Sequence, residues 1–331
     1  MRAVLVRDFA PFEQIGVAEA PDPEPGAGEV VVEVVAAEAN YPDILVIEGK
    51  YQIKPPLPFS PGKAAAGRIA AVGPGVSGFS PGDPVAVQVE YGAYAEKVRA
   101  RAEHCFPMPE GMPFDKGAAL GLVYQTAWFA LRERASFRPG ESVLVLGASG
   151  GIGVASVQLA KAFGARTVIA GVLGEANAEV ARAAGADHVL DLGDADLHEN
   201  LRAQVASWTD GKGADIVIDP VGGAANAAAL RAMAWCGRLV IIGFASGEIP
   251  AIRANYLLVK NIAVSGLQWS DYRDRTPERV AEAQREIFAL YTAGRIDPYI
   301  SRHVPLANFH EALRLLRDGK AQGKIILDVG A

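Results

Sequence analysis

The chain has 331 residues, of which 50% are hydrophobic and 21% charged, and its formal net charge is −6. This length exceeds what a single hydrophobic core usually organises, so we expect two domains of an ordinary globular protein. The acidic balance, without a long basic run, argues against nucleic acid and anionic lipid as partners, and no apolar stretch approaches the roughly 20 residues that cross a bilayer.

The first part of the chain is rich in Pro and Gly and predicts a compact β domain. The segment Met1–Arg7 is too short an apolar run for a signal peptide and is typical of a first strand. Further strands are predicted at Val30–Val35, Gly67–Gly73, Pro84–Val87 and Tyr94–Val98.

From Asp115 onward the pattern changes to a helix and then to alternating strands and helices. Helices are predicted over Ala176–Ala184 and Asp196–Ser207. The strands fall near Ser142–Leu146, Thr167–Ala170, His188–Leu190, Ala214–Asp219, Arg238–Ile242 and Ile262–Ser265. This alternation predicts a parallel, doubly wound sheet, and therefore an α/β protein.

The last sixty residues or so return to helical patterns before a final strand. The charged stretch Asp271–Arg275 either lines a small-molecule pocket, as part of the segment 269–275, or forms a solvated loop. Helices are predicted over Pro277–Ala293 and Leu306–Arg317, followed by a strand over Lys324–Val329. We expect this strand to join the sheet of the first domain.

One stretch indicates a chemical role. The strand Ser142–Leu146 runs into the glycine-rich turn Gly147–Gly153, and an amphipathic helix follows at once. This strand–turn–helix context is what a dinucleotide fingerprint requires, although Ala148 stands in place of its first glycine. The sequence therefore predicts a nicotinamide dinucleotide site in an enzyme that transfers hydride.

Four residues of this turn are the expected phosphate contacts: Gly150, Gly151, Ile152 and Gly153. Gly150 lets the backbone approach a pyrophosphate, and Gly153 lets the helix pack closely on the strand. The free N–H groups at the start of the helix then face the phosphates.

The two cysteines, Cys105 and Cys236, lie far apart, and neither has another Cys or a His at metal-ligand spacing. His104 is adjacent to Cys105, but neighbouring side chains of an extended chain point to opposite faces. We expect two reduced, buried thiols in a cytoplasmic protein.

Further segments carry a resemblance over essentially the whole chain: Asn40–Asp43, Leu57–Gly62, Val72–Asp83, Gly92–Glu96, Gly147–Gly153, Gly237–Val240 and Gly323–Leu327. In them the chain resembles the zinc-independent quinone oxidoreductases, the zeta-crystallin type, of the medium-chain dehydrogenase/reductase superfamily. The resemblance implies a GroES-like catalytic β domain over residues 1–120 and 270–331. A doubly wound Rossmann domain with a parallel sheet would occupy residues 121–269.

Zinc-dependent relatives place a Cys near the position of Asn40 and a His-Glu pair where this chain has Lys63 and Ala64. They also carry a lobe with four cysteines. A catalytic zinc needs three protein ligands and a structural zinc needs four. The departures from both sets imply an enzyme that works without a metal.

The expected end of the second Rossmann strand is Val172, where NAD-preferring domains usually carry an acid that binds the ribose diol. A valine cannot bind the diol, and its neutrality removes the repulsion of a 2′-phosphate, which favours NADPH. NADPH-preferring relatives supply a basic residue near Asn177 and an aromatic or His near Leu192, and this chain has neither. NADH therefore stays open as a cofactor. Gly174 completes the contacts expected on this side.

Three residues of the first domain are candidates for the chemistry at the reacting carbonyl. Tyr51 corresponds to a tyrosine that resembling enoyl reductases use as proton donor; it either has that role or packs as an aromatic near the cofactor. Asn40 either binds a substrate carbonyl or the nicotinamide ribose, or is a satisfied buried amide. Lys63 either holds a developing oxyanion or is a surface lysine. Asp43 is expected to cap the helix that follows it.

Open α/β sheets bind ligands at the carboxyl ends of their strands. On that basis, and by resemblance, the remaining cofactor contacts are expected at Thr126, Gly243, Phe244, Leu267 and Trp269. Thr126 is equally compatible with plain helix packing.

These observations favour an NADPH-dependent reductase of a small-molecule quinone or other α,β-unsaturated carbonyl. Two alternatives stay open: an enoyl-thioester reductase that uses Tyr51 as proton donor, and a non-catalytic, nucleotide-binding protein of the crystallin type. Relatives pair through the edge strand near Ile262–Ser265, so the resemblance implies a homodimer.

Overall fold

The computed structural model describes residues 1–330. Along this part of the chain the strands are β1 (Arg2–Leu5), β2 (Gly16–Glu19), β3 (Glu29–Ala39), β4 (Ala64–Val72), β5 (Pro84–Gln88), β6 (Lys97–Arg101), β7 (Cys105–Pro107), β8 (Ser142–Leu146), β9 (Thr167–Val172), β10 (His188–Asp191), β11 (Ala214–Asp219), β12 (Met233–Ile241), β13 (Ala263–Gly266), β14 (Ile300–Pro305) and β15 (Lys324–Asp328).

The α-helices are α1 (Tyr41–Ile47), α2 (Phe114–Ala119), α3 (Leu122–Phe129), α4 (Gly151–Ala162), α5 (Glu175–Ala183), α6 (Leu197–Trp208), α7 (Gly223–Ala232), α8 (Ala254–Lys260), α9 (Trp269–Arg275), α10 (Pro277–Thr292) and α11 (Phe309–Arg317). Short 3₁₀ turns occupy Phe12–Gln14, Ala102–His104 and Leu306–Asn308, and a π-helical turn follows α3 at Ala130–Arg134.

The chain divides into two compact units. The first comprises residues 1–122, 270–292 and 300–330, and the second comprises residues 123–269 and 293–299. The first unit is thus assembled from separate stretches of chain, whereas most of the second is continuous.

The first unit is built around β3. The sheet has the order β14-β15-β3-β4-β5-β7, and β6 also pairs with β3. Val32 and Val34 of β3 lie in the hydrophobic core. Glu33 and Val35, which alternate with them along the strand, are exposed. This is the alternation of a strand with one face on a core. The antiparallel pairing of β15 with β3 confirms that the final strand joins the first unit.

The second unit contains a six-stranded parallel sheet in the order β10-β9-β8-β11-β12-β13. Every residue of β8 and β9 is buried, as expected where helices cover both faces of a parallel sheet. The order reverses between β8 and β11, and at such a point the carboxyl ends of the strands form a ligand-binding crevice in doubly wound folds. The predicted α/β architecture is confirmed.

Four details differ from the sequence expectations. The strand expected over Tyr94–Val98 is displaced: Tyr94 is a fully buried part of a connecting segment, and β6 covers Lys97–Arg101. The stretch Asp271–Arg275 is helical, within α9. Strand β12 begins earlier than predicted, at Met233.

The fourth difference concerns the cysteines. Cys105 is buried as expected, and burial raises the pKa of its thiol to about 12. Cys236 is exposed, so the expectation of two buried thiols is wrong. Its backbone adopts φ 61° within β12, which turns the side chain away from the regular alternation of a strand.

None of the helices between residues 1 and 330 combines the length and the apolar character needed to cross a membrane.

Candidate active site

The glycine-rich turn lies at the carboxyl end of β8 and leads directly into α4. Gly150 precedes the helix and no side chain caps this end, so the first N–H groups of α4 are left for another acceptor. A Cβ at Gly150 would meet only the carbonyl oxygen of Gly147, at 3.6 Å. The backbone here is therefore open to close approach by a phosphate, and the turn fits a dinucleotide.

Gly153 has a different role in the same turn. A Cβ at Gly153 would lie 2.2 Å from the Gly147 carbonyl oxygen and 2.5 Å from the Cα of Ala148. The first turn of α4 therefore packs directly on the backbone that leaves β8, as the sequence interpretation requires. Gly151 and Ile152 lie between the two glycines and are partly accessible.

The residues expected at the end of the second Rossmann strand do lie there. Val172 is the last residue of β9 and is 2% exposed. Gly174 precedes α5, and Asn177 in its first turn donates from Nδ2 to the Leu173 carbonyl at 2.8 Å.

A carboxylate that the sequence interpretation overlooked lies beside this end of β9. Asp191 on β10 is the register partner of Val172. Its Oδ1 accepts from Gly193 N at 2.9 Å and, at 3.5 Å, from Gly174 N. An acid is therefore present at this edge of the sheet, on the neighbouring strand.

The remaining cofactor candidates differ in exposure. Gly243 and Phe244 lie two and three residues beyond the end of β12, and Phe244 is 40% exposed. Leu267 follows β13, and both it and Trp269 are buried. Thr126 is a buried residue in the middle of α3.

In the first unit Asn40 lies between β3 and α1 and is held by a lysine from β15. Lys324 Nζ donates to Asn40 Oδ1 at 2.6 Å and lies 2.8 Å from Glu38 Oε2. All three side chains are at most 5% exposed. Burial raises the pKa of Glu38, and the Lys324 ammonium opposes that rise. The Asn40 side chain also accepts from the backbone N–H of Asp43, so both acceptor positions of its oxygen are used and only Nδ2 can donate to a further group.

Asp43 accepts two hydrogen bonds in the first turn of α1. The backbone N–H of Asn40 and the hydroxyl of Tyr94 both donate to Oδ2 at 2.8 Å, so the expected capping role is confirmed. Burial raises the pKa of Asp43 to about 6, against the lowering effects of the Tyr94 hydroxyl and the Lys63 charge. Tyr94 itself has a raised pKa, because it is buried and faces this carboxylate.

Lys63 is 3% exposed, so the alternative of a surface lysine is wrong. Its ammonium forms an ion pair with Glu90 and lies 4.5 Å from the centroid of the Tyr51 ring. Tyr51 is partly buried and packs against the core. The structure thus brings two of the three predicted catalytic residues together.

Arg273 completes this cluster. It lies 3.2 Å from Glu90 Oε2 and is 4% exposed, so the alternative of a solvated loop is wrong for Arg273. Neither Glu90 nor Arg273 was identified from the sequence, and nor were Glu38 and Lys324 as partners of Asn40. The sequence shows each of these residues only as a charge in its own segment, and that does not identify the partner.

The fold and the turn define a class of protein with two units, one of them a Rossmann unit whose glycine-rich turn fits a dinucleotide. The family model for the alcohol dehydrogenase GroES-like domain matches residues 26–110. The model for zinc-binding dehydrogenases matches residues 151–285. Both models belong to the medium-chain dehydrogenase/reductase superfamily.

Individual relatives narrow the class. The chain is 35% identical to the quinone oxidoreductase-like protein 2 homolog of Nematostella vectensis, over 92% of this chain and 82% of that protein. Among solved structures it is similar to Escherichia coli quinone oxidoreductase complexed with NADPH, with a TM-score of 0.90 at 29% identity, covering 99% of this chain and 100% of that one. A mycobacterial protein complexed with NADPH gives a TM-score of 0.92 at 29% identity, with coverage of 99% and 100%.

The chain therefore belongs to the quinone oxidoreductase-like family of the medium-chain dehydrogenase/reductase superfamily. The family predicted from the sequence is confirmed, and with it the assignment as an oxidoreductase.

Proposed function

We propose that this protein is a zinc-independent, NADPH-dependent reductase of quinones or other α,β-unsaturated carbonyl compounds. The observation that carries the proposal is the uncapped start of α4 beside the open backbone at Gly150. The NADPH complexes of the E. coli and mycobacterial relatives support this choice of cofactor. When bound, the nicotinamide supplies a hydride, that is, one proton together with two electrons.

Reduction of the carbonyl compound also requires a proton, and we assign its delivery to Tyr51. The phenolic hydroxyl gives its proton to the oxygen or α carbon that becomes negative, and water returns a proton to the phenolate. One hydride and one proton together convert a quinone to a hydroquinone or an enone to a saturated carbonyl. Asn40, with its oxygen held by Lys324, is assigned as a hydrogen-bond donor to substrate or cofactor.

The charges around Asn40 and Lys63 do not suit a zinc ion. The oxygen of Asn40 already accepts from an ammonium group, and Lys63 is itself a cation paired with Glu90. Zinc sites are instead built from thiolates, neutral imidazoles and carboxylates. We therefore derive no step through a metal. The cytoplasmic location inferred from the cysteines stays a prediction.

The first test is the initial rate of NADPH and of NADH oxidation with an ortho-quinone and a short-chain enone as parallel acceptors. We expect turnover with NADPH and at least one acceptor. Both cofactors are needed in the test because Val172 lacks a charge while its neighbour Asp191 carries one. Tight nucleotide binding without oxidation of either cofactor would contradict the proposal and favour the non-catalytic alternative. Inhibition by coenzyme A would favour the thioester reductase.

The role of Tyr51 is tested with Tyr51→Phe, which keeps the ring and removes the hydroxyl. We expect kcat for the active acceptor to fall by roughly 100-fold, the lower range for loss of a general acid, with an unchanged Kd for NADPH. Tyr41→Phe is the matched control, since Tyr41 is 42% exposed at the start of α1. Equal rates for wild type and Tyr51→Phe would assign the proton to water.

A further inference from the structure

Lys63 and Glu90 are brought together by sheet pairing. Ala64 of β4 pairs with Gln88 of β5, and beyond them Val89 N donates to the Lys63 carbonyl at 2.8 Å. Residues 63 and 90 therefore leave the same end of two adjacent strands. The position of the Lys63 side chain is consequently fixed by backbone register as well as by its own contacts.

The donors of the Lys63 ammonium are accounted for by two neighbours. It donates to the Glu90 carboxylate and, at 3.3 Å, to the Glu90 carbonyl oxygen. Its remaining side faces the Tyr51 ring, whose centroid is 4.5 Å away. An ammonium has three donors, so this arrangement leaves no donor to hold a substrate oxyanion directly. Lys63 can act only through what it already contacts.

A cation against the face of a tyrosine ring has two effects. It fixes the ring through the attraction between the charge and the π electrons. It also stabilises the negative charge that appears when the phenol loses its proton, because opposite charges within about 4–6 Å favour the ionised form. Both effects are strengthened here because Lys63 is 3% exposed and little screened by water.

We propose that Lys63, anchored by Glu90, is a positioning residue that holds the Tyr51 ring and makes its phenol a stronger acid. The inference rests on the proposed function, in which Tyr51 is the proton donor. The charge of Lys63 then assists proton transfer without touching the substrate.

The surroundings allow this charge to be removed without collapse of the cluster. Glu90 keeps Arg273 as a partner at 3.2 Å, and Arg273 is held in turn by Asp274 at 2.7 and 3.0 Å. Asp43 also interacts electrostatically with Lys63, and its pKa of about 6 leaves it ionised throughout the alkaline range where phenols titrate. Its charge is therefore constant in the test.

The test measures the titration of Tyr51 by ultraviolet difference spectroscopy. The absorbance change of the Tyr51→Phe variant is subtracted from that of the wild-type protein, so that the contributions of the other tyrosines cancel. In Lys63→Met we expect the midpoint of the Tyr51 titration to move to higher pH by roughly 1 unit or more, as for loss of an adjacent opposite charge. Lys63→Arg keeps a cation suited to a ring face and should restore the wild-type midpoint.

Two further variants sharpen the result. Lys63→Gln is neutral but can still hydrogen-bond to Glu90, and should behave like Lys63→Met. Lys50→Met removes the lysine adjacent to Tyr51 in sequence; that side chain is 68% exposed and paired with Glu48, so its loss should leave the midpoint in place. An unchanged midpoint in either neutral variant at position 63 would overturn the proposal.

Kinetics separate this inference from the proposed function. With the active acceptor, Lys63→Met should lower kcat by roughly 10-fold and shift its alkaline limb to higher pH, with no change in KM for NADPH. If no acceptor is reduced by the wild-type protein, the proposed function fails while the titration still decides whether Lys63 acts on Tyr51. If turnover is normal and the titration midpoint does not move, only the inference about Lys63 fails.

Discussion

The carboxyl group of Asp43 is buried, and its burial lowers the free energy of unfolding at neutral pH. Burial raises its pKa to about 6 from an ordinary value of 3.8. Between these two values the folded protein holds a proton that the unfolded chain has released. Stability contributed by the protonated form is therefore lost as the pH rises from about 4 to about 7, by about 3 kcal/mol in all.

The Asp43→Asn variant tests this dependence. We expect the free energy of unfolding of Asp43→Asn, relative to that of wild type, to increase as the pH rises from about 4 to about 7, because the amide cannot ionise. The measurement is urea unfolding of both proteins at several pH values. Tyr94→Phe is the control: it removes a donor to the carboxylate, keeps the ionisable group, and should move the dependence to higher pH. Parallel curves for wild type and Asp43→Asn would contradict the assignment.

For individual residues, the sequence indicated which side chains are candidates for the site but not which residues they contact. It made Tyr51 and Asn40 candidates through the resemblance, and Lys63 because it departs from the family's residues at that position. It could not show that Lys63 is buried, because its partner Glu90 lies just beyond β5, and Arg273 of α9 contacts Glu90, through tertiary contacts that no local pattern encodes. Lys324 lies in the resembling segment Gly323–Leu327. Its contact with Asn40 could not be predicted, because that contact depends on tertiary structure.

Among the elements, the turn between β8 and α4 separates two roles of glycine. Gly153 faces backbone atoms at 2.2 and 2.5 Å, whereas Gly150 faces open space apart from one oxygen at 3.6 Å. The distances at Gly153 are too short for any real Cβ, and the distance at Gly150 is an ordinary contact. The two positions should therefore fail in different ways when substituted.

We expect Gly153→Ala to displace α4 from β8 and lower the free energy of unfolding by roughly 1–3 kcal/mol, as overpacking does. Gly150→Ala should leave stability almost unchanged but weaken NADPH binding by roughly 10-fold or more, because its methyl group lies where the phosphate approaches. Thermal unfolding and fluorescence titration with NADPH report the two effects on both variants. Equal nucleotide affinity in Gly150→Ala and wild type would show that the phosphates lie elsewhere.

The second unit was predicted well because each of its strands is a short apolar run bounded by a helix with its own periodicity. Strand β11 was placed at its observed bounds, Ala214–Asp219. The error over Tyr94–Val98 has the opposite cause. Tyr94 and its alanine neighbours are apolar because they are buried in a connecting segment under α11, where Tyr94 lies 6.5 Å from the Phe309 ring. Burial without regular pairing looks like a strand in the sequence.

For the molecule as a whole, the open edge of the parallel sheet is the expected place of self-association. Strand β13 is the last strand on its side of that sheet. Helix α8, which packs beside β12 and precedes β13, buries none of its residues, and Leu258 and Val259 are 79% and 77% exposed. Neighbouring exposed apolar side chains of this kind are typical of an interface.

We therefore predict a homodimer that Leu258→Asp combined with Val259→Asp converts to a monomer, because each chain would bring buried charges to the same two-fold interface. Light scattering coupled to size-exclusion chromatography gives the mass. Leu173→Asp, at a residue 61% exposed near β9, is the control and should stay dimeric. A wild-type protein with the mass of one chain would refute the prediction.

The ion pair between Glu38 and Lys324 has a consequence for the order of synthesis. Lys324 also bonds to Asn40, 284 residues earlier in the chain. As the polypeptide leaves the ribosome, β3 with Glu38 emerges long before its cationic partner exists, and a lone buried carboxylate is strongly unfavourable. The continuous segment 123–269 can meanwhile complete its own sheet. Nascent chains arrested before residue 324 should thus contain a folded nucleotide-binding core joined to an unfinished first sheet, and synthesis of β15 would then lock both Glu38 and Asn40 into place.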